Sequence, residues 1–189
     1  MEDCFAILGL PRVASLNEEA LRNAYAQKSK VAHPDHGGSE VEAAKVNAAY
    51  ETLRAPEKRL KHLLELAGPE DAKAWRAVRL DDAMMNLFSA LGKALELSAM
   101  FLERKAGAQS AIAKALLANE EMQHRETIER IGFDIDQRKT ELEQQLPMLD
   151  AGLAKSDISA WSRLAAMQAK LAYLARWQMQ VRERLLALM

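Results

Sequence analysis

The 189-residue chain holds one cysteine, Cys4, which excludes an internal disulfide and a thiolate metal centre. That scarcity suits a reducing compartment. Glycine (8) and proline (5) are sparse, while Ala, Leu, Glu, Lys and Arg dominate, a balance that favours helix. Neither sign of charge is in surplus: 26 Lys+Arg stand against 27 Asp+Glu, a net charge of -1. Bulk attraction to nucleic acid or to an anionic membrane surface is therefore not expected. Long apolar runs are missing as well. The best candidate, Leu80 to Leu102, is broken by Asp81, Asp82, Lys93 and Glu96, so no membrane span is expected. The start, Met1-Glu2-Asp3-Cys4, is acidic and has no basic n-region before an apolar run; the expectation is a cytoplasmic protein without a signal peptide. The histidines His33, His36, His62 and His124 find no cysteine and no second pair at ligand spacing. Gly37-Gly38 lacks the spacing and lysine of a phosphate loop, and no nucleophile–base–orienter set can be assembled. The reading is a protein that is not an enzyme, with no metal and no cofactor.

What is present is a globular composition, 49% hydrophobic and 28% charged, arranged with helical spacing. An apolar piece from Cys4 to Leu10 ends at Pro11. Ser15 and Glu18 have the spacing of a capping box, and a helix is expected from there to about Val31, with Leu21, Ala24, Tyr25 and Ala32 on its apolar stripe. Pro34 stops it, because the residue before a proline is pushed out of helical geometry. Ser39 can cap a second helix, Glu40 to Leu53, on Val46, Tyr50 and Leu53. Ala55-Pro56 breaks it, a short basic helix runs from Glu57 to Leu66, and Gly68-Pro69 marks a boundary. Beyond it, helices are expected from about Asp81 to Lys105 and Gln109 to Gln145, with Pro147 ending or kinking the second. A last helix, capped by Ser156 or Asp157, reaches Leu188 with Trp161, Leu164, Leu171, Leu174, Val181 and Leu188 on one stripe. The charges Glu120, Glu121, Arg125, Glu126, Glu129 and Arg130 read as a solvated face.

One loop carries a functional signal, His33-Pro34-Asp35, between two helices that read as an antiparallel hairpin. Around it stand Phe5-Ala6-Ile7-Leu8-Gly9-Leu10, Leu21-Arg22-Asn23-Ala24-Tyr25, Val46-Asn47-Ala48-Ala49-Tyr50-Glu51-Thr52-Leu53 and Pro56-Glu57-Lys58-Arg59. In that order these segments resemble the J domain of the DnaJ family over residues 3–66. The resemblance implies a partner, the ATPase of a DnaK-type heat-shock chaperone, engaged by His33, Pro34 and Asp35 and by a basic helix face of Arg22, Lys28 and Lys30 with Tyr25 alongside. Pro34 fixes one backbone angle, so the loop loses less entropy on docking. Lys28 and Ala32 depart from the family, which carries a leucine and an aromatic there.

The Gly/Phe-rich linker and cysteine-rich modules of general DnaJ proteins are absent from this sequence. A helical segment of about 110 residues follows instead, and this organisation is similar to the HscB family, J-protein co-chaperones of iron–sulphur cluster assembly. Leu53 to Arg59, Leu63 to Gly68, and Trp161 with Lys170-Leu171-Ala172-Tyr173-Leu174 carry that likeness. The expected fold is all-α: a J domain at 1–67, a linker at 68–74 and a C-terminal bundle of about three helices at 75–189. The resemblance implies that the bundle binds a client, the iron–sulphur scaffold, through positions matching Met84, Met85, Leu87, Phe88 and Tyr173. Helical spacing by itself makes Met84, Met85, Leu87, Phe88 and Leu91 bundle core instead. Asn86, Ser89 and Ala90 do not supply the family's acidic groups, which leaves a different dedicated client as an alternative. A structural helical protein without a chaperone role is the other. Monomer and homodimer are both open.

Overall fold

The computed structural model describes residues 2–73, 78–155 and 157–189, and these are helical throughout, with no strand among the described residues. The elements are α1 (Cys4–Leu8), α2 (Glu18–Ala32), a 3-10 turn (Pro34–His36), α3 (Glu40–Arg54), α4 (Pro56–Ala67), α5 (Glu70–Lys73), α6 (Asp82–Gly107), α7 (Ala111–Glu143), α8 (Leu146–Ala154) and α9 (Ile158–Ala187). The all-α expectation holds.

Local chemistry sets the boundaries. Asp3 caps α1 by accepting from the N–H groups of Phe5 and Ala6, and Gly9, at φ 71, turns the chain out of it. Ser39 caps α3 as expected, accepting from the Glu42 N–H at 3.2 Å. The cap of α2 is a correction. Asn17, not Ser15, accepts from the Ala20 N–H, at 2.9 Å, because the Ser15 hydroxyl is committed to Asp150 at 2.5 Å. Pro147 is a second one. It stands in the first turn of α8, where its missing N–H costs nothing, so a helix begins where only an end or kink was expected. Asp157 accepts from the Ser159 N–H at 2.9 Å at the start of α9; the alternative cap, Ser156, lies outside the described residues. So does the expected 74–75 domain boundary.

The contacts group the chain differently from its linear order. One compact unit joins residues 1–78 with 142–172; the other joins 79–141 with 173–189. The segment after residue 75 is thus shared between two bodies, since α8 and the first half of α9 pack with the N-terminal helices. In the first unit α2 and α3 form the expected hairpin with α1 against α3. Phe5, Leu8, Leu21, Val46, Leu53, Leu60 and Leu63 fill its centre, together with Leu146, Leu149, Leu164 and Leu171. Each such side chain contributes about 1.5–3 kcal/mol by leaving water. In the second unit Met84, Leu91 and Phe101 of α6 are buried, as are Ile128, Ile131 and Ile135 of α7 and Leu174, Trp177 and Val181 of α9. Lys105 pairs with Glu121 at 2.6 Å, and Arg138 with Asp81 at 2.8 Å.

One buried histidine makes the first unit sensitive to acid. The His62 Nε2 accepts the Cys4 N–H at 3.0 Å, and its ring stacks on Phe5 at 5.9 Å. Burial holds the His62 pKa below its ordinary value, and Arg12 adds to this, against the opposing charges of Asp3 and Glu65. Because the folded-state pKa lies below the unfolded one, this stabilisation is complete above about pH 6.5 and is lost as pH falls through the folded value. Thermal unfolding followed from pH 7.5 to pH 5 should show the midpoint dropping on the acid side. The drop should be smaller in His62→Gln; equal slopes would refute the assignment.

Candidate functional site

The loop after α2 is built by backbone geometry. His33 leaves the helix at ψ 136 and Pro34 opens the 3-10 turn. The His33 Nδ1 accepts the Asp35 N–H at 3.2 Å, which places the neutral ring's proton on Nε2. The turn then closes on two glycines. Gly37, at φ 89, donates to the Pro34 carbonyl, and Gly38 donates to the His33 carbonyl, each at 3.1 Å. Gly38 runs so close under α2 that an added Cβ would stand 2.2 Å from the Ala32 carbonyl oxygen. The outcome is a rigid turn holding two polar side chains in solvent, His33 at 55% and Asp35 at 83% exposure, with 3.5 Å between His33 Nδ1 and an Asp35 oxygen.

The basic face expected beside this loop divides. Arg22 and Lys30 are exposed on the outer side of α2. Lys28, two residues from Lys30, is rotated about 160° from it and sits only about 20° from the buried Leu21. Its Cε reaches to 3.8 Å from where a Cβ on Gly9 would stand, so the stem covers the end of α1 while the ammonium remains exposed. Lys28 is therefore corrected from a face-sharing cation to a cover for α1. Tyr25 stacks on Tyr50 at 4.2 Å and donates to Asn47 Oδ1 at 2.8 Å, which braces α2 against α3. The turn's two glycines were visible in the sequence, but the close approach of Gly38 was not.

In the second unit, α6 and α9 present an apolar surface. Met85, Phe88 and Tyr173 are 49%, 55% and 40% exposed. Phe88 and Tyr173 both lean on the buried Trp177, with ring centroids at 6.0 and 6.2 Å. Leu87 is half-buried at the edge. Met84 is 0% exposed and Leu91 is buried. Met84 is thus a second correction: it packs inside and offers no surface. Core is also the wrong assignment for Met85 and Phe88, which face solvent. Trp177, the platform under both aromatics, went unnoticed; its i, i+4 spacing from Tyr173 was the available signal. Among the described residues no three His, Cys, Asp or Glu side chains gather as a metal site, and no helix is long and apolar enough to cross a membrane.

Comparison with known proteins adds to this geometry. Residues 3–62, which contain the His33 turn, match the model of the DnaJ domain family. Residues 3–62 form a DnaJ domain. A stretch of 61 residues is 43% identical to the tetratricopeptide repeat and J domain-containing co-chaperone DNJ1 of Cryptococcus neoformans, covering 32% of this chain and 11% of that protein. Stretches of 76 residues are 40% and 41% identical to the co-chaperone protein HscB homologues of Aromatoleum aromaticum and Cupriavidus taiwanensis, covering 35% of this chain and 43% of each relative. The match thus spans under half of the HscB homologues. The fold extends further. The chaperone HscB from Vibrio cholerae superposes with a TM-score of 0.57 at 22% identity over 96% of both chains. Human HscB does so at 0.55 and 17% identity, over 97% of this chain and 84% of that one. The DnaJ domain therefore sits in a chain with the HscB fold.

The turn of the DnaJ domain can be tested by itself. Gly38→Ala should cost about 1–3 kcal/mol, because the methyl meets fixed backbone. Gly37→Ala should cost about 1 kcal/mol, since it has strain but open space. Denaturant unfolding ranks the two; the reverse order would show that the close approach to Ala32 is not what the turn requires.

Proposed function

We propose that this chain is a co-chaperone, itself not an enzyme, which stimulates ATP hydrolysis by a DnaK-type heat-shock chaperone and delivers a client to it. The observation that carries this reading is the His33-Pro34-Asp35 turn, pre-shaped and exposed within a DnaJ domain. In this mechanism the turn docks on the ATP-bound chaperone with Arg22 and Lys30 steering the approach. Lys28 and Tyr25 support the helix that presents it. Electrostatic steering of this kind acts mainly on encounter rate. The hydrolytic chemistry belongs to the chaperone. The surface of Met85, Leu87, Phe88 and Tyr173 holds the client, with Met84 beneath it. The HscB fold supports an iron–sulphur scaffold as that client and the cytoplasm as the location.

The test is single-turnover ATP hydrolysis by a DnaK-type chaperone with and without the full chain. An unchanged rate sinks the proposal. A second reading keeps the DnaJ domain and changes the client. It is favoured by Asn86, Ser89 and Ala90, three exposed and uncharged neighbours of Phe88. Binding of the full chain to a purified iron–sulphur scaffold protein separates them, because capture excludes the second reading.

A further inference from the structure

The loop between α1 and α2 is gripped from two sides. Ala14 is fully buried. Its carbonyl accepts from Arg59 Nε of α4 at 2.9 Å, and Arg59 Nη1 also donates to the Leu53 carbonyl at 2.7 Å. On the other side the Ala14 N–H donates to one oxygen of Asp150 at 2.6 Å. Ser15 gives its N–H and its hydroxyl to the other oxygen, at 2.8 and 2.5 Å. One α8 carboxylate therefore takes three hydrogen bonds from two successive residues of the DnaJ domain. Charge-assisted bonds of this length are the strong class.

Packing alone does not call for this. Leu146 and Leu149 already bury the apolar side of α8, and apolar contacts tolerate sliding because they are non-directional. Three bonds to one carboxylate do not: they admit a single placement of α8 on the loop. Nearby, Gln168 of α9 reaches the Glu57 carbonyl of α4 at 3.4 Å. The chain then continues from α8 into α9, one unbroken helix from Ile158 to Ala187 that also carries Tyr173 and Trp177. A displacement of α8 against the DnaJ domain is thereby passed along the same helix that bears the aromatic surface.

We infer that Asp150 is a latch, a positioning residue that ties the DnaJ domain to the α8–α9 arm so that client occupancy and docking of the His33 turn are coupled. The inference rests on the function proposed above. Coupling between two sites needs a physical element that both of them bias, and the latch makes α9 that element. Asp150→Asn keeps the shape but turns an amide NH₂ toward N–H donors, so the three-bond grip cannot re-form. Ser15→Ala removes one bond and leaves the two backbone ones.

The experiment measures single-turnover ATP hydrolysis by a DnaK-type chaperone with the full chain, alone and with an iron–sulphur scaffold protein. It compares wild type, Asp150→Asn and Ser15→Ala, after unfolding curves have shown each to be folded at the assay temperature. In wild type the scaffold should raise the rate above that given by the chain alone. In Asp150→Asn that extra rise should fall about fivefold or more, while stimulation by the chain alone stays within about twofold. Ser15→Ala should fall between them. If both variants keep the full rise, the latch is overturned and the co-chaperone reading stands. If the scaffold adds nothing to stimulation by wild type, there is no coupling and the latch is overturned in the same way. If the wild-type chain does not stimulate at all, the co-chaperone reading itself fails and the latch falls with it.

Discussion

His33→Gln is expected to return ATP hydrolysis by a DnaK-type chaperone to its unstimulated rate, a loss of about tenfold or more, equivalent to about 1.4 kcal/mol of barrier. The fold should hardly notice. The imidazole is 55% exposed, and a surface change of this kind shifts stability within about 0.5 kcal/mol, or about 1–2 °C in a chain of this size. What the substitution removes is orientation. The ring is held by the Asp35 N–H bond to Nδ1 at 3.2 Å, so Nε2 is presented in one direction. A glutamine amide on a longer, freely rotating stem must be ordered on docking, which costs about 0.5–1.5 kcal/mol before any contact is made. Equal rates for wild type and His33→Gln, with matched unfolding curves, would remove the turn from the docking mechanism.

Arg59→Leu is expected to give the largest loss of stability, about 2–5 kcal/mol, read as a lower denaturant midpoint at an unchanged slope. Arg59 is 6% exposed, and its guanidinium satisfies the carbonyls of Ala14 and Leu53. Burial works against the charge, and Glu143, Asp150, Glu57 and Glu18 offset that burial. Leucine fills part of the volume but leaves two buried carbonyls without these donors, each costing about 1–3 kcal/mol. Arg59→Lys should recover little, because one ammonium lacks the planar fork that reaches both oxygens. The control stands five residues earlier. Arg54 pairs with Glu51 on the surface, at 2.9 Å, so Arg54→Ala should cost about 0.5 kcal/mol or less. A similar loss for both arginines would show that burial of Arg59 is not what matters.

Much of the architecture was legible because it is local. Prolines at 34 and 56, glycines at 37, 38 and 68, and the Ser39 cap mark helix ends through short-range sterics and hydrogen bonds. Where a long-range partner competes, the local rule gave way. Ser15 has capping-box spacing, yet its hydroxyl goes to Asp150, and Asn17 takes over the cap. Pro147 was read as an end because proline disrupts a helix interior; it also starts one. The basic face failed for a different reason. Composition counts Lys28 as a cation near Lys30, but helical rotation sets it at the rim of the core.

The candidate client surface divides along the same line. Its residue types could be named from the family likeness, but sequence spacing alone does not separate an exposed Phe88 from a buried Met84 four residues earlier. Their burial depends on which side of α6 meets α9, a long-range fact.

The amino-acid sequence alone determined an all-helical chain and the His33-Pro34-Asp35 turn with its flanking hairpin, because backbone sterics, capping and helical periodicity act within a few residues. The tertiary structure decided the rest: Gly38 pressed against the Ala32 carbonyl, Phe88 and Tyr173 joined over Trp177, and Asp150 reaching across more than a hundred positions to Ala14 and Ser15. Those contacts arise only after apolar burial has brought distant helices together, so no pattern within a few residues of the chain encodes them.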